Sequence, residues 1–523
     1  MLNAIGFQAW ALPALLLVPL LGALAIRLFG RSALPGQQPG FAKWREVRVL
    51  ASIAFVTEAI IALGCWFAFD PANNGYQFRV DYVWIPDWGA RFTLGLDGIS
   101  LVMVVMTSLL MPLAIFGSWT SVKTKVRSYY ALLLVLTSGA IGIFASLDLL
   151  LFYVMWELLL VPLYFVIGIW GGQQRVRASL KFFLFTMAGS LLMLVAVIFV
   201  WLKAGGTTFS LERLPERLAL TPSMQIWLFV AFFLPFAIKS ALFPFHTWLP
   251  DAQHEAPIPA AVALGVKVGT YGIIRCALPL FPAAATTPAV RTTILTLSVI
   301  AIIYGALVAM VQDDLKKLAS YSSVSHLGFV MLGIFALTVQ SVQGAVLVMV
   351  NAGISSSALF LLIGMLQDRR RTGMIHNFGG IARVVPMFAA LLTLVALSTL
   401  GLPGTNGFVG EFLVLLGAYS KYPFATVLAA TGVILTATYL LWALERVIFS
   451  PLANPDNAKL RDLNRRELAV MGTFAVAIIW LGIAPGAVLR RLEGASTRLV
   501  NEVSAGTRAA AALAPDSVLF PAP

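Results

Sequence analysis

The chain has 523 residues, 59% hydrophobic and only 11% charged, with a mean hydropathy of +0.89; soluble domains are near ~25% charged, which excludes that class. The formal net charge of +13 does not mark a nucleic-acid binder, because Lys and Arg sit in short loops between apolar runs and form no long basic tract. Two cysteines, Cys65 and Cys276, with no CxxC and no Cys/His cluster, indicate no disulfide framework, iron–sulfur centre or structural zinc.

Apolar runs of roughly 20 residues recur along the whole length, which predicts an all-α integral membrane protein of about 14 spans. The ~10-residue alternating segments of a transmembrane β-barrel are missing. Span 1 (Ala9 to Leu28) has no basic region before it and no convincing A-x-A cleavage site, so it reads as a span and not a removed signal peptide. The loop behind it carries Arg27, Arg31, Lys43, Arg45 and Arg48, which places that loop in the cytoplasm and the N-terminus outside. Span 2 ends near Asp70. The stretch YQFRVDYVWIPDWGARFTLGLD then alternates polar and apolar residues around Pro86 and Gly89, as an external β-hairpin would.

Span 3 ends before Lys123, Lys125 and Arg127, and span 4 covers about Tyr129 to Leu147, with a tight external turn at Asp148. Span 5, about Leu149 to Trp170, contains Glu157, and span 6 ends near Trp201. Span 7 carries Lys239 and then Pro244, within LPFAIKSALFPFHTWLPDAQHEAPIP. A proline there removes a helix hydrogen bond and opens the helix. Span 8, about Pro259 to Pro279, contains Lys267 and Arg275; span 9 ends at QDDLKK; span 10 contains His326; span 11 ends before Asp368-Arg369-Arg370-Arg371. Span 12, LSTLGLPGTNGFVGEFLVLLGAY, is interrupted by Gly401, Pro403, Gly404 and Gly407, with Glu411 beyond. Span 13 follows Pro423, the loop with Lys459, Arg461, Arg465 and Arg466 is cytoplasmic, and span 14 returns the C-terminus to the outside.

Spans 7 and 12 are an odd number of crossings apart, so they run in opposite directions. Two Pro/Gly-interrupted segments at matching places predict an inverted-repeat transporter with its site near the midplane. The expected organisation is residues 1–127 (spans 1–3 and the hairpin), 128–282 (first five-helix repeat), 283–448 (second, inverted repeat) and 449–523 (loop, last span, tail).

Charges inside these runs single out the chemistry, since each costs ~2.5–3.5 kcal/mol at mid-membrane. Glu157 reads either as an ion pair locking helices or as a proton-carrying carboxylate whose state answers to a nearby cation. Lys239 is its natural partner, and a desolvated lysine is a usable proton relay. Lys267 is a second intramembrane lysine, whereas Arg275, nearer the span's end, reads as a snorkelling or structural charge. His326 follows Ser320, Tyr321, Ser322, Ser323 and Ser325, a setting that suits either a hydrogen-bonded core histidine or a proton shuttle. Glu411 lies just past the span 12 break as Lys239 lies beside that of span 7, and broken helices free backbone groups that hydrate a site. Lys316, Lys317, His376 and Arg369–Arg371 read as topology or surface residues.

At these residues the chain resembles the antiporter-like subunits of respiratory complex I, and their subunit M branch above all. The matching stretches are FTLGLDGIS, FYVMWELLLVPLYFVIGIWGG, FPFHTWLPDAQHEAP, KVGTYGIIR, DDLKKLASYSSVSHLGF and GTNGFVGEF, in order over roughly residues 92–415. The resemblance implies 14 spans with two inverted five-helix repeats, and redox-driven proton pumping. It places Glu157 and Lys239 as the acid–lysine pair, Lys267 as the middle lysine, His326 on the polar axis and Glu411 as the terminal acid. It also implies a bacterial inner-membrane location and partners among other antiporter-like and quinone-site subunits. NADH, FMN, iron–sulfur clusters and quinone are expected in partner subunits, with no cofactor, metal or nucleic acid on this chain. Two departures stand out: Asn351-Ala352-Gly353 replaces the usual Asn-His-Gly, and Gln253 stands where histidine is common, with His254 shifted by one. The long C-terminal lateral helix of the largest antiporter-like subunit is expected to be missing. The other reading is a subunit of an Mrp-type cation/proton antiporter or a membrane-bound hydrogenase; the scarcity of hard oxygen ligands favours protons over sodium.

Overall fold

A computed structural model describes residues 6–29, 45–218 and 220–513. Arg31 and Lys43, on which part of the first cytoplasmic loop rests, lie outside them, as do both extreme termini. In chain order the helices are α1 (Phe7–Phe29), α2 (Arg45–Ala68), α3 (Gly98–Gly117), α4 (Val126–Ala145), α5 (Leu149–Trp170), α6 (Arg175–Lys203) and α7 (Leu214–Arg217). The centre holds α8 (Pro222–Lys239), α9 (Trp248–Glu255), α10 (Ile258–Leu264), α11 (Val268–Gly272), α12 (Leu278–Leu280) and α13 (Pro282–Thr286). Then come α14 (Pro288–Met310), α15 (Leu315–Ala336), α16 (Val339–Arg370), α17 (Pro386–Thr399), α18 (Asn406–Tyr419), α19 (Pro423–Leu444), α20 (Arg465–Ile483) and α21 (Gly486–Leu513). Among the described residues, 12 helical stretches are long and apolar enough to cross a membrane, and Ile258–Leu280 (α10 to α12) is one of them. Expected spans 7 and 12 are instead interrupted pairs: α8 with α9, and α17 with α18.

The expected hairpin forms. Strand β1 (Gln77–Ile85) pairs antiparallel with β2 (Ala90–Leu96), with Val80 opposite Leu94 and Tyr82 opposite Phe92. Pro86 sets the turn and Gly89 closes it at φ 65°, where a side chain would be strained. Its inner face, Phe78, Val80, Ala90 and Leu94, is buried, and Phe78 meets Phe7 edge to face at 6.1 Å.

Two turns far apart in sequence share one geometry. Asp148 precedes α5 and Asp314 precedes α15, both at φ −114° and ψ 131°. Each carboxylate accepts from the backbone amides two and three residues on, at 3.0 and 3.1 Å for Asp148 and 2.9 and 3.1 Å for Asp314. Each turn also forms an isolated bridge to the loop behind the next long helix, at Ser210 and Met374. Leu149 N donates to Phe209 O at 2.8 Å and Leu315 N to Gly373 O at 3.0 Å.

One element was not expected. Helix α21 follows α20 as a 28-residue strongly amphipathic helix and packs on α3, α13 and α16. Arg498 fastens it, donating to Asp97 Oδ2 and to Asn74 O.

Candidate functional site

The second interrupted element places the most complete polar cluster. Helix α17 stops at Thr399, and Gly401 and Gly404 take φ of 81° and 91° before α18 restarts at Asn406. Buried Asn406 holds the break together: its Oδ1 accepts from Ser398 and Ser355, and its carbonyl accepts from Asn351 Nδ2 of α16 at 2.5 Å. Glycines set the depth of α18 against α16. A Cβ on Gly344 would meet Val414 N at 2.6 Å, and one on Gly410 would meet Val348 N at 2.8 Å. This close seat carries Glu411 to His326 of α15, whose Nδ1 is 2.9 Å from Glu411 Oε1. Both residues are buried, and His326 Nε2 and Asn351 Oδ1 have no hydrogen-bond partner.

A cavity of about 20 Å³ lies against them, lined by Ser322, Ser323, Asn351, Ala352, Ser355 and Ser356 among others. That is room for a water, which needs about 10–15 Å³. Ala352, where the resemblance implies histidine, lines this space. Tyr439 of α19 extends the cluster by donating to Ser322 Oγ at 2.6 Å.

The first interrupted element ends α8 at Lys239. Ala241 at φ 50° turns the chain out of the helix, and the carbonyl of Ile238 accepts from Ala241 N and from Trp248 Nε1, each at 2.9 Å. Lys239 Nζ lies 5.0 Å from the centre of the Phe182 ring and 5.8 Å from that of Trp156. Among the described residues no ion pair within 4.0 Å joins Lys239 to Glu157, and Glu157 Oε1 has no hydrogen-bond partner. Trp156 is the residue next to Glu157, so the acid and the lysine are neighbours that do not touch.

Lys267 also occupies a break, one that no proline announced. Helix α10 ends at Leu264, Lys267 sits at φ −82° and ψ 52°, and α11 begins at Val268. The lysine is buried, with no acid within 4.0 Å among the described residues. A Cβ at neighbouring Gly265 would lie 3.7 Å from Ser356 Oγ, so this break abuts the cavity wall of the His326–Glu411 cluster.

Three residues had more place in the site than the sequence suggested. His246, in the link between α8 and α9, is buried with neither ring nitrogen partnered, against Tyr304 and Tyr321. Lys316, expected at the surface, is buried and donates to the carbonyls of His254 and Ala256 at 3.4 and 3.3 Å. His254 stands between Glu255 and Asp314, its nitrogens 3.3 and 3.4 Å from their carboxylates. His254, Glu255 and Lys316 line a cleft of about 610 Å³ at the end of the bundle away from the hairpin. The helical spacing of Lys316, Ser320 and Ser323 was the available signal. Arg275 is structural: it pairs with Asp97 at 2.7 Å and donates to Tyr271, Tyr76 and Ser100. Burial works against ionising Asp97, yet Arg275 and Arg498 together hold its carboxyl below the usual range.

Comparisons with known proteins agree with this architecture. Residues 146–436 match the family described as "NADH:quinone oxidoreductase/Mrp antiporter, TM". The chain is 40% identical to NADH-quinone oxidoreductase subunit M of Rhodobacter capsulatus, over 93% of this chain and 96% of that one. It is 38% identical to NADH-ubiquinone oxidoreductase chain 4 of Marchantia polymorpha, over 94% and 97%. Its fold superposes on a chain of respiratory complex I from Thermus thermophilus with bound NADH, with a TM-score of 0.85, 30% identity and coverage of 94% and 99%.

Proposed function

Since the chain belongs to the NADH:quinone oxidoreductase/Mrp antiporter transmembrane family, we propose that its interrupted helices and their buried charges form one proton relay driven from partner subunits. It is a proton-translocating, multi-pass membrane subunit of complex I, an NADH:quinone oxidoreductase. Its partners are other subunits of that complex. NADH, flavin, iron–sulfur and quinone chemistry belongs to those partners. Moving one charge against 100 mV costs ~2.3 kcal/mol, which their redox chemistry supplies. The location is the bacterial inner membrane, with both termini external, and residues 128–282 and 283–448 act as inverted halves. The matched Asp148 and Asp314 turns support that division, since each opens the second helix of its half.

The observation that carries the relay is the His326–Glu411 hydrogen bond at 2.9 Å beside the α17–α18 break. Glu411 holds one imidazole nitrogen, and the other, unpartnered, faces a space fit for water. A histidine so placed accepts a proton on Nε2 as imidazolium, stabilised by the carboxylate, and returns it when Glu411 is neutralised. Lys267, at its own break beside Ser356, is the group that loads this pair from the first half.

In the first half the gap between Glu157 and Lys239 supports a switch. Closing it pairs the charges, which keeps a proton on Lys239; opening it leaves a buried ammonium without a counter-charge, which releases the proton towards Lys267. The serines of α15 and α16 supply the hydrogen-bonding path. Reconstituted complex carrying His326→Gln tests the reading. Coupled proton uptake falls to the background set by the other pumping subunits at the same rate of NADH oxidation per enzyme. Uptake at the wild-type ratio would refute it.

A further inference from the structure

A polar stripe on α15 joins the cleft at the end of the bundle away from the hairpin to the relay cavity. The cleft, about 610 Å³, is lined by His254, Glu255, Lys316, Asp368 and Arg371 among others. His254 is open to it, with a side chain 29% exposed, and its ring nitrogens lie 3.3 Å from Glu255 and 3.4 Å from Asp314. A protonated ring turns an N–H to each of these carboxylates, where a neutral ring has only one to give. Lys316, in the first turn of α15, lines the cleft and is otherwise buried. Its Nζ donates to the carbonyls of His254 and Ala256 at 3.4 and 3.3 Å, which occupies two of its three donors.

Ser320 and Ser323 follow Lys316 at i+4 and i+7, the spacing of one helix face, and both are buried. Ser323 lines the cavity shared by His326 and Glu411. The cleft and the cavity are therefore about 10 Å apart along α15, at ~1.5 Å per residue, with one hydroxyl between them. Each serine donates to a carbonyl of its own helix, Ser320 to Lys316 O at 2.8 Å and Ser323 to Ala319 O at 3.1 Å. The face of α15 turned to α16, α17 and α19 offers no such route. A cavity of about 30 Å³ there is lined by Leu, Ile, Val and Ala alone, Leu318, Leu359 and Leu440 among them. Walls without a donor or an acceptor pass no proton.

We propose that this cleft is a proton mouth: His254 collects the proton, Lys316 hands it inward, and Ser320 and Ser323 conduct it to His326. The mouth rests on the relay proposed above and supplies it; Lys239 and Lys267 still drive it. Lys316 gives one ammonium proton towards the Ser320 oxygen while that hydroxyl passes its own proton to Ser323. His326 Nε2 takes the proton that Ser323 gives up, and the His254 imidazolium recharges Lys316. The two steps along the helix are about 6 Å and 4.5 Å, each bridged by one water during transfer. Glu255 and Asp314 flank His254, and Lys316, Asp368 and Arg371 are the other charged side chains that face it from α15 and α16 and their ends.

Proton uptake by the intact complex in proteoliposomes tests it, followed between about pH 6 and pH 8.5, either side of the ordinary histidine value of ~6.5. His254→Gln is expected to take up protons as fast as wild type at the acid end. At the alkaline end, where free protons are scarce and a collecting group matters most, it is several-fold slower. Ser320→Ala removes only a hydroxyl bonded within its own helix and slows uptake at every pH. Wild-type rates across the range in either variant, or a His254→Gln loss equal at every pH, would overturn the mouth. Failure of the relay itself shows separately, as full uptake in His326→Gln. Loss of uptake in His326→Gln beside wild-type rates in both new variants removes the mouth alone.

Discussion

His326 and Glu411 are 85 residues apart in sequence and 2.9 Å apart in space. Each was visible as an ionisable group in an apolar run, because such groups are expensive there. Their pairing was not, since only the seating of α18 on α16 aligns them. The same limit hid Lys316, whose basic character fitted a surface loop until the carbonyls of His254 and Ala256 were seen around it. Lys267 has no acid beside it, so Lys267→Met preserves shape better than charge. That variant is expected to assemble normally and lower coupled proton uptake to the background set by the other pumping subunits, measured in proteoliposomes. Asp148 offers a pH test outside the spans. Burial pushes its carboxyl from 3.8 up to about 6 despite the backbone amides that favour its charge. A raised carboxyl favours the folded state below its unfolded value, and that contribution is lost as pH rises through about 6. Wild type should thus lose on the order of 3 kcal/mol relative to Asp148→Asn between pH 4 and 7, read from melting temperatures.

At the scale of elements, the two interrupted spans were legible because proline and glycine announce them. The third break, at Gly265–Lys267, was not, because no proline marks it. Helix α21 was missed for another reason: its charged, amphipathic sequence carries no membrane-span signal, so its helical form depends on packing against α3 and α13. Asp97 is the residue that ties it down. Asp97→Asn leaves Arg275 buried without its counter-charge, which is expected to cost ~3–5 kcal/mol and to release α21 to proteolysis. The interlocked glycines of α16 and α18 give a second test. Gly410→Ala forces its new methyl onto Val348 N, where backbone must move. The expected cost is ~1–3 kcal/mol, and a wider His326–Glu411 separation should show as a pumping defect larger than the stability loss explains.

Across the whole molecule, hydropathy and the rhythm of basic loops made the all-α membrane fold legible, and the parity of the breaks suggested two opposed halves. What could not be read was the register between the proposed halves, which three-dimensional packing alone sets. The Asp148 and Asp314 turns, alike in dihedrals and in bridging, are its clearest mark. In the relay we propose, no single group translocates a proton; Lys239, Lys267, His326 and Glu411 would pass it between breaks. The central claim is that the chain pumps through this series and fails when its first lysine cannot hold a charge. Proton uptake per electron in proteoliposomes of complex carrying Lys239→Ala tests that most directly. Uptake falls to the background set by the other pumping subunits if the claim holds, and uptake at the full wild-type ratio would contradict it.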